Sequence, residues 1–307
     1  TATDDTASVN EDATLTVSNA SNGVIDDNDT DTESDTLVIT NIAHTNGNTE
    51  SVTANTTHSN GQSITGTYGT LTIGADGTYT YVADQTGTDA LDASDEVDDV
   101  FTYTLSDGTT TTTATITVTV TGVNDSPVAN NDAGSVNEDS TLTVSTASSG
   151  VTQNNDTDPD ADDTASTLVV NQITPNGGSA SSVSSGTTYS NGTSVTGTYG
   201  TLTIGANGTY TYVANQSAAD DLDAGDTATD VFTYRVTDTT GATATADITI
   251  TVTGINDVPT ASDKTVSTAE DTPYVFSTSD FGYTDADDDD ALVSIKITTL
   301  ETNGALQ

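Results

Sequence analysis

Short acidic clusters recur along this 307-residue chain, and they hold the side chains whose spacing could do chemistry. In each cluster, oxygen-bearing side chains stand at every second residue of a turn-like stretch. Carboxylates spaced in this way can converge on one hard cation, which takes six to eight oxygen ligands. Any single cluster could equally be a solvated acidic loop that binds no ion. The occurrence of three such clusters at equivalent positions favours a cation site. The clusters contain Asn28, Asp29, Asp31 and Glu33, then Asn155, Asp156, Asp158 and Asp160, and finally Asp285 and Asp287.

The composition fits a surface that attracts cations. Only 3 Lys and Arg residues stand against 47 Asp and Glu residues, which gives a formal net charge of −44. Such a surface excludes nucleic acid and anionic membrane as partners, and it favours bound cations or concentrated salt. The 32% hydrophobic content by itself favours disorder. Regular alternation of Thr with Val, Ile and Tyr argues instead for folded strands.

Cysteine is absent, so disulfides cannot brace the small cores that this composition allows. Metal ions are the brace that remains. No apolar run is long enough to span a bilayer, so we expect no membrane insertion in this segment.

Two histidines are the only ones in the chain, and neither supports catalysis. His58 has Tyr189 as its counterpart in the second repeat, so a function shared by the repeats does not need it. We expect His58 and His44 to be surface loop residues. No pairing of a nucleophile with a base is present in both repeats, and the chain is therefore predicted not to be an enzyme.

Internal repeats set the domain organisation. Residues 66–83 recur almost letter for letter as 197–214, and 100–103 recur as 231–234. These blocks predict one domain over 1–126, a second over 127–258, and the N-terminal part of a third over 259–307. We expect the chain to be a segment of a longer protein.

Strand patterns within each repeat indicate an all-β fold. Apolar residues alternate with Thr along 71–73, 79–81, 101–105 and 116–120, with short weaker strands nearer the start of the repeat. An Asp76-Gly77 turn predicts a hairpin. About seven strands without a helical period favour tandem immunoglobulin-like or cadherin-like β-sandwiches in a linear array, with the strand tyrosines in the cores.

Each repeat ends in a junction that carries oxygen ligands. The last strand stops at a glycine, and an Asn-Asp pair then precedes a proline that cannot continue a ladder. A Glu-Asp pair begins eleven residues after that proline. Asp99 and Asp230, directly ahead of the phenylalanine strand, are further candidate junction ligands. The Asn-Asp pairs are Asn124 with Asp125 and Asn256 with Asp257, and the Glu-Asp pairs begin at Glu138 and at position 270.

The motifs together resemble the VCBS and cadherin-like repeats of giant bacterial surface adhesins of the RTX type. The resemblance rests on the Asn-Glu-Asp, Asn-Asp-x-Asp-x-Asp, Phe-Thr-Tyr and Gly-[Val/Ile]-Asn-Asp-x-Pro blocks, and it covers nearly all of the chain. Two other calcium motifs are not predicted. The glycine-rich nonapeptides of a β-roll are missing, and the loop from Asp156 lacks the glycine and glutamate of an EF-hand.

The resemblance implies Ca²⁺ between successive domains. Its ligands would be an early Glu, the linker Asn and Asp, and an Asp-x-Asp of the following domain. Carried over, the first junction would use Glu11, Asn124, Asp125, Asp156 and Asp158. The second junction would use Glu138, Asn256, Asp257, Asp285 and Asp287.

These observations predict a calcium-stiffened segment of an extracellular adhesin or fibre, acting as a structural spacer at the cell surface. Its partners would be calcium ions and neighbouring repeats. The alternatives are a carbohydrate-binding module that holds glycans, and a subunit of a self-assembling surface filament or sheath.

Overall fold

Strands dominate the protein, as the alternating sequence predicts. The computed structural model describes residues 1–26, 28–287 and 291–298. The chain divides into two compact units. The first contains Thr1–Val128, Thr157–Thr167 and Asp238–Ala242; the second contains Ala129–Asp156, Leu168–Thr237 and Thr243–Gln307.

The first unit is a sandwich of two sheets. Its strands are β1 (Asp5–Asn10), β2 (Thr14–Val17), β3 (Val38–His44), β4 (Thr49–Ser51), β5 (Gln62–Thr65), β6 (Thr70–Ile73), β7 (Tyr79–Val82), β8 (Glu96–Ser106) and β9 (Thr111–Thr121). One sheet has the order β1-β9-β8-β3-β4, and the other has the order β2-β7-β6-β5. Strand β1 lies parallel to β9, while the other pairs are antiparallel.

Alternation along β8 and β9 explains which face is buried. Phe101, Tyr103 and Leu105 of β8 point inward, while the threonines between them stay half-buried. Ile116 and Val118 of β9 do the same. The two strands pair over eleven residues, and this ladder forms the centre of the larger sheet.

The second unit repeats the arrangement. Its strands are β10 (Asp132–Asn137), β11 (Thr141–Val144), β12 (Val169–Pro175), β13 (Ser181–Ser182), β14 (Thr193–Thr196), β15 (Thr201–Ile204), β16 (Tyr210–Val213), β17 (Thr227–Thr237) and β18 (Thr243–Thr253). The sheet orders are β10-β18-β17-β12-β13 and β11-β16-β15-β14. The helices are the short α1 (Val151–Asn155) and α2 (Ser217–Asp220).

The predicted third repeat is described only in part. Strands β19 (Thr260–Ala261) and β20 (Tyr283–Thr284) pair with each other. Positions 288–290 and 299–307 lie outside the described residues. Within the described part of the chain, no helix is both long and apolar enough to cross a membrane.

The all-β sandwich prediction is confirmed, and three of the four tyrosines expected in the core lie there, while Tyr68 is half-buried outside the strands. Tyr79, Tyr81 and Tyr103 are all buried. The predicted hairpin lies between β6 and β7, where Gly77 has a φ of +81°. Asp76 itself does not need the left-handed region; its Oδ1 instead accepts from the amide and hydroxyl of Thr78.

Candidate cation sites

Parallel pairing of β1 with β9 brings the early Glu to the end of the last strand. Asn10 is opposite Thr121, so both strands end at the same edge of the sheet. The next residue, Glu11, donates its amide to the Thr121 carbonyl at 2.9 Å. Its Oε1 accepts from the amide of Val123 at 2.6 Å. One oxygen of Glu11 is thereby fixed by backbone, and the other, Oε2, is left for a ligand.

Three carboxylates of the first unit form what we call the Glu11 cluster: Glu11, Asp125 and Asp160. Each offers an oxygen within 4.8 Å of the others. Asp160 Oδ2 accepts from the Asp125 amide at 2.8 Å. Glu11 Oε2 and Asp160 Oδ1 are buried, and neither receives a hydrogen bond from the described residues. Converging buried oxygens that lack donors match the ligand set of a hard cation.

A second group of the same unit, the Asp238 cluster, consists of Asp158, Asp163 and Asp238, again with oxygens within 4.8 Å of one another. Asp158 Oδ2 is buried without a donor. The linker residue Asn124 lies beside this cluster and donates from Nδ2 to Asp238 Oδ2 at 3.1 Å. The first unit therefore offers two separate places for a cation.

Burial and mutual repulsion perturb both clusters. Burial raises the pKa of Glu11 to about 6, and the charges of Asp125 and Asp160 add to the effect. Burial likewise raises the pKa of Asp158 to about 6, with Asp160 and Asp163 among the neighbouring charges that contribute. A bound cation would relieve both costs, because it favours the ionised form.

The second unit places Glu138, Asp257 and Asp287 in positions equivalent to Glu11, Asp125 and Asp160. Glu138 Oε1 accepts from the Ile255 amide at 2.5 Å, and Asp287 Oδ2 accepts from the Asp257 amide at 2.8 Å. Among the residues that the structure describes, no donor reaches the buried atoms Glu138 Oε2, Asp285 Oδ1 and Asp287 Oδ1. Burial raises the pKa of Glu138, and Asp257 and Asp287 contribute. The linker Asn256 is exposed, and its Nδ2 contacts the Asp257 carbonyl.

Repeat equivalence shows which Asp-x-Asp pair reaches these sites. Thr157 pairs with Val128, and Thr284 pairs with Thr260 in the same way. Counting from those threonines, Asp158 and Asp160 correspond to Asp285 and Asp287. The sequence analysis had instead aligned Asp156 and Asp158 with Asp285 and Asp287. That alignment was shifted by two residues.

Asp156 lies elsewhere, beneath a tyrosine of its own unit. Its carboxylate accepts from the amide of Asn130 at 2.7 Å and from the hydroxyl of Tyr234 at 2.9 Å. In the first unit, Asp29 accepts in the same way from the Thr3 amide at 2.8 Å and the Tyr103 hydroxyl at 3.0 Å.

Asp31 caps its own turn instead, because its Oδ1 accepts from the amides at positions 33 and 35. The structure therefore brings Asp29, Asp31 and Asp156 into neither cluster.

Asp99 and Asp230 are interior acceptors, and this placement corrects their assignment as junction ligands. Asp99 is fully buried, and its oxygens accept from three successive amides, a tyrosine hydroxyl and a histidine ring. The donors are Thr67, Tyr68 and Gly69 amides at 3.0, 3.1 and 3.2 Å, the Tyr81 hydroxyl at 2.8 Å, and His44 Nε2 at 2.7 Å. Asp230 repeats the set with Thr198, Tyr199, Gly200 and Tyr212. Carboxylates with so many donors have no need of a metal.

His44 is also corrected, since it is buried and not a surface loop residue. It is 5% exposed and packs with its ring 4.9 Å from that of Phe101. The amide of Asn46 donates to Nδ1 at 3.1 Å, so Nε2 carries the proton that is donated to Asp99. His58 is half-buried.

Sequence reasoning missed two cluster members, Asp163 and Asp238, and it left Asp160 out of the junction ligands although it counted that residue in an acidic cluster. Asp160 could have been found by aligning the Thr-Asp-x-Asp of residues 157–160 with that of 284–287. Asp163 stands outside the repeated motifs, whereas Asp238 matches Asp107, because each follows the repeated Val-Phe-Thr-Tyr block at the same spacing. The acidic loop before β8 lies next to this region, where Asp92 Oδ1 accepts from the Asp162 amide at 3.0 Å.

The chain is similar to several solved structures. It matches Drosophila N-cadherin EC1-4 at 10% identity, covering 84% of this chain and 50% of that one, with a TM-score of 0.36. It matches human mucin-like protocadherin EC1-2 at 16% identity, covering 82% and 97%, with a TM-score of 0.39. A third match is an endo-fucoidan hydrolase variant of glycoside hydrolase family 107, at 19% identity over 73% of this chain and 24% of that one, with a TM-score of 0.20.

The chain thus spans half of the N-cadherin fragment and about a quarter of the hydrolase. No curated protein matches it. The family model of the bacterial cadherin-like domain matches twice, over residues 1–122 and 124–254. The chain therefore belongs to the bacterial cadherin-like domain family, of which it carries two tandem copies.

Proposed function

We propose that the protein is a calcium-stiffened extracellular spacer segment of a cell-surface adhesin or fibre. Cadherin-like domains suggest adhesion at the cell exterior, and the acidic clusters supply the calcium ligands. Under this proposal the chain extends the adhesin or fibre and spaces its other parts from the cell surface, and it performs no catalysis.

One observation carries the proposal: buried carboxylate oxygens without donors converge at the end of a strand. Glu11 is 5% and Asp160 is 3% exposed, yet each keeps one oxygen without a hydrogen bond. Removing a carboxylate from water without a partner costs several kcal/mol. A divalent cation is the partner that oxygen-only ligands prefer.

Sequence separation explains how a bound ion would stiffen the chain. The Glu11 cluster joins residues 11, 125 and 160, of which the first belongs to one family match and the others to the next. An ion held by all three restricts the linker around Asp125. Without the ion, the same three charges repel one another and favour a looser linker.

The two alternatives have weaker support. A carbohydrate-binding module would need exposed aromatic rings for stacking, whereas the strand tyrosines 79, 81 and 103 are buried. A self-assembling filament would also be stiffened by calcium. Its particles, however, would increase in mass as the protein concentration rises.

Scattering and calorimetry test the proposal. We expect millimolar calcium to lengthen the maximum dimension and raise the melting temperature relative to the protein in EDTA. Molar NaCl is the control, because it screens repulsion without bridging particular carboxylates. An EDTA-treated protein that molar NaCl restores as fully as calcium does would refute specific sites.

The variant Asp125→Ala sharpens the test. Removing one charge from a surface of −44 should stabilise the protein slightly if only general repulsion matters. Removing a calcium ligand should instead lower the melting temperature in calcium. A variant as stable as the parent in calcium would place the metal elsewhere.

A further inference from the structure

Asparagine followed by glycine recurs in the turns of this chain, and the two residues of such a pair can react with each other. The amide nitrogen of the glycine can attack the asparagine side chain, because glycine has no Cβ to obstruct the approach. The reaction needs an asparagine side chain and a glycine amide that no hydrogen bond holds in place. In the described part of the chain, Asn-Gly pairs begin at Asn22, Asn46, Asn60, Asn176, Asn191 and Asn207.

Four of these asparagines are held through their side chains. Asn46 Nδ2 donates to the Thr65 carbonyl at 3.1 Å, and its Oδ1 accepts from the Asn48 amide at 3.0 Å. Asn60 Oδ1 accepts from the amide and the hydroxyl of Thr57, at 2.8 and 3.2 Å. Two asparagines of the second unit likewise accept from the amide and the hydroxyl of one threonine, namely Asn191 from Thr188 and Asn207 from Thr209.

Asn22 is held through its glycine instead. The Gly23 amide donates to the Ala20 carbonyl at 2.9 Å, so its nitrogen is not available for attack. A Cβ built on Gly23 would also lie 2.6 Å from the Gly77 carbonyl oxygen, so there is little room for a ring to form. Five of the six pairs are therefore protected.

Asn176 is the exception. It is exposed in the turn between β12 and β13, and within the described residues no hydrogen bond involves its side chain or the Gly177 amide. Gly177 has a φ of +71°, and a Cβ built on it would meet nothing within 4 Å. The Asn176 amide donates to the Val231 carbonyl at 2.9 Å, and the Gly178 amide donates to the Pro175 carbonyl at 2.9 Å. Of these two bonds, only the second has to open for the backbone after Asn176 to rotate.

We propose that Asn176 and Gly177 form a self-modification site. The Gly177 nitrogen attacks Cγ of Asn176, the bond from Cγ to Nδ2 breaks, and ammonia leaves with the proton that the glycine nitrogen gives up. Water then hydrolyses the resulting five-membered succinimide at either of its two carbonyl carbons. The product is aspartate or isoaspartate at position 176. Water is the only co-reactant, and the exposed turn is open to it.

The isoaspartate product changes the backbone, because its main chain runs through the side-chain carbon and is one bond longer. Strand β13 pairs with β12 over two residues, Gln172 with Ser182 and Ile173 with Ser181, so a longer turn loosens it. On its other side β12 pairs with β17 from its first residue to its last, so the rest of the sheet is retained. The modification therefore frees the β12 edge of the second unit as the protein ages.

Peptide mapping of the full chain, aged in mildly alkaline buffer, tests the chemistry. Mass spectrometry follows the conversion of each Asn-Gly pair. We expect Asn176 to convert at least about tenfold faster than Asn46 or Asn60. That ratio equals about 1.4 kcal/mol in the barrier, the size of a hydrogen bond that the other pairs must break first. Both aspartate and isoaspartate should appear, since only the ring gives isoaspartate. Equal rates at Asn46 and Asn176, or aspartate alone, would overturn the inference.

The variant Asn176→Gln is the matched control. It keeps an exposed amide at the same position, but its ring would have six members and would form more slowly. We expect the release of ammonia to fall by the share of position 176, with an unchanged melting temperature. Undiminished release would place the reactive amide elsewhere and refute the site.

Hydrogen exchange in fresh and aged protein tests the structural consequence. The Val183 amide donates to the Asn171 carbonyl at 3.0 Å and reports on β13. We expect this amide to exchange faster in the aged protein, while the amides of β17 keep their rates. Unchanged exchange at Val183 in a sample that carries isoaspartate would refute the loosening of β13.

Both experiments are run in calcium and in EDTA, which separates this inference from the proposed function. The stretch 175–182 contains no carboxylate, so Asn176 should convert at the same rate in both buffers. A slow Asn176 would overturn the self-modification site and leave the spacer proposal standing. Fast conversion in a protein that calcium does not stiffen would support the site and count against the spacer.

Discussion

Asp99 and Glu11 are both buried carboxylates of the first unit, and they differ in what surrounds them. Asp99 has five donors, three of them amides of one turn. Glu11 accepts from the Val123 amide through Oε1, and no donor in the described part of the chain reaches its Oε2. Two carboxylates of similar burial thus differ in role. Asp99 is an anchor, by which we mean that its charge is fully hydrogen-bonded to the fold, whereas Glu11 keeps an oxygen for a ligand. Burial alone does not identify a metal site; the supply of donors does.

The second unit repeats the contrast with different neighbours. Asp230 keeps the three amides and the tyrosine hydroxyl, whereas Pro175 stands where His44 contacts Asp99. Glu138 keeps one backbone donor and one buried oxygen without any. The anchor therefore depends on the amides and the tyrosine, and the histidine is an addition of the first unit.

Asp99→Ala should give the largest effect. The substitution leaves three amides and the Tyr81 hydroxyl buried without their acceptor, and we expect it to lower the unfolding free energy of the first unit by about 3–5 kcal/mol. The loss should be the same in calcium and in EDTA, which chemical denaturation in both buffers would measure.

Gly66→Ala offers an independent route to the same disruption. A Cβ on Gly66 would collide with the Asp99 carboxylate, so the amide turn could not close around it. If either variant lost stability only in calcium, Asp99 would have to be a metal ligand after all.

Glu11→Gln should give the next largest effect, and its sign should depend on the buffer. A ligand at about 100 times its dissociation constant stabilises the folded state by about 2.7 kcal/mol, so up to that amount is lost in calcium. In EDTA the variant should be slightly more stable than the parent, because it removes a repelling charge. Glu138→Gln is the matched change in the second unit, and equal behaviour in both buffers would argue against an ion at either site.

The contrast between anchors and ligands also explains what the sequence could predict. Alternation and repeats predict the sandwiches and their tyrosine cores, because the period of two is local. The family resemblance, and not the alternation, gives the linker Asp125 and Asp257 and the early Glu11 and Glu138 as expected ligands, and that assignment stays a prediction.

Donor supply is not visible in the sequence, because the amides around Asp99 come from a turn about thirty residues away. Asp99 and Asp230 therefore resembled ligands. Asp163 and Asp238 were missed because they are far apart in the sequence and come together with Asp158 only in the folded chain.

The pH dependence of the metal-free protein should give a smaller effect. Burial first, and then the charges of Asp125 and Asp160, raise the pKa of Glu11 from an ordinary 4.5 to about 6. A raised folded-state pKa contributes stability that is complete below the ordinary value and is lost as the pH rises through about 6. For this group the loss is at most about 2 kcal/mol, and screening by solvent reduces it.

We therefore expect the protein in EDTA to melt at a higher temperature at pH 5 than at pH 7. The difference should shrink in Glu11→Gln, and calcium should reverse it, because calcium needs the ionised carboxylates. Melting curves in EDTA that rise with pH would contradict the assignment.

Asp76→Asn should give the smallest effect, because this carboxylate is neither an anchor nor a ligand. Asp76 Oδ1 accepts from the Thr78 amide at 3.0 Å and from its hydroxyl at 2.7 Å. Asn207 already does the same for Thr209, at 3.2 and 2.6 Å. An amide oxygen therefore replaces the carboxylate without losing a bond, and the change in unfolding free energy should stay within about 0.5 kcal/mol in calcium and in EDTA alike. A larger change in calcium alone would mean that carboxylates outside the buried sites also hold the metal, and donor supply would then no longer separate ligands from the rest of the acidic surface.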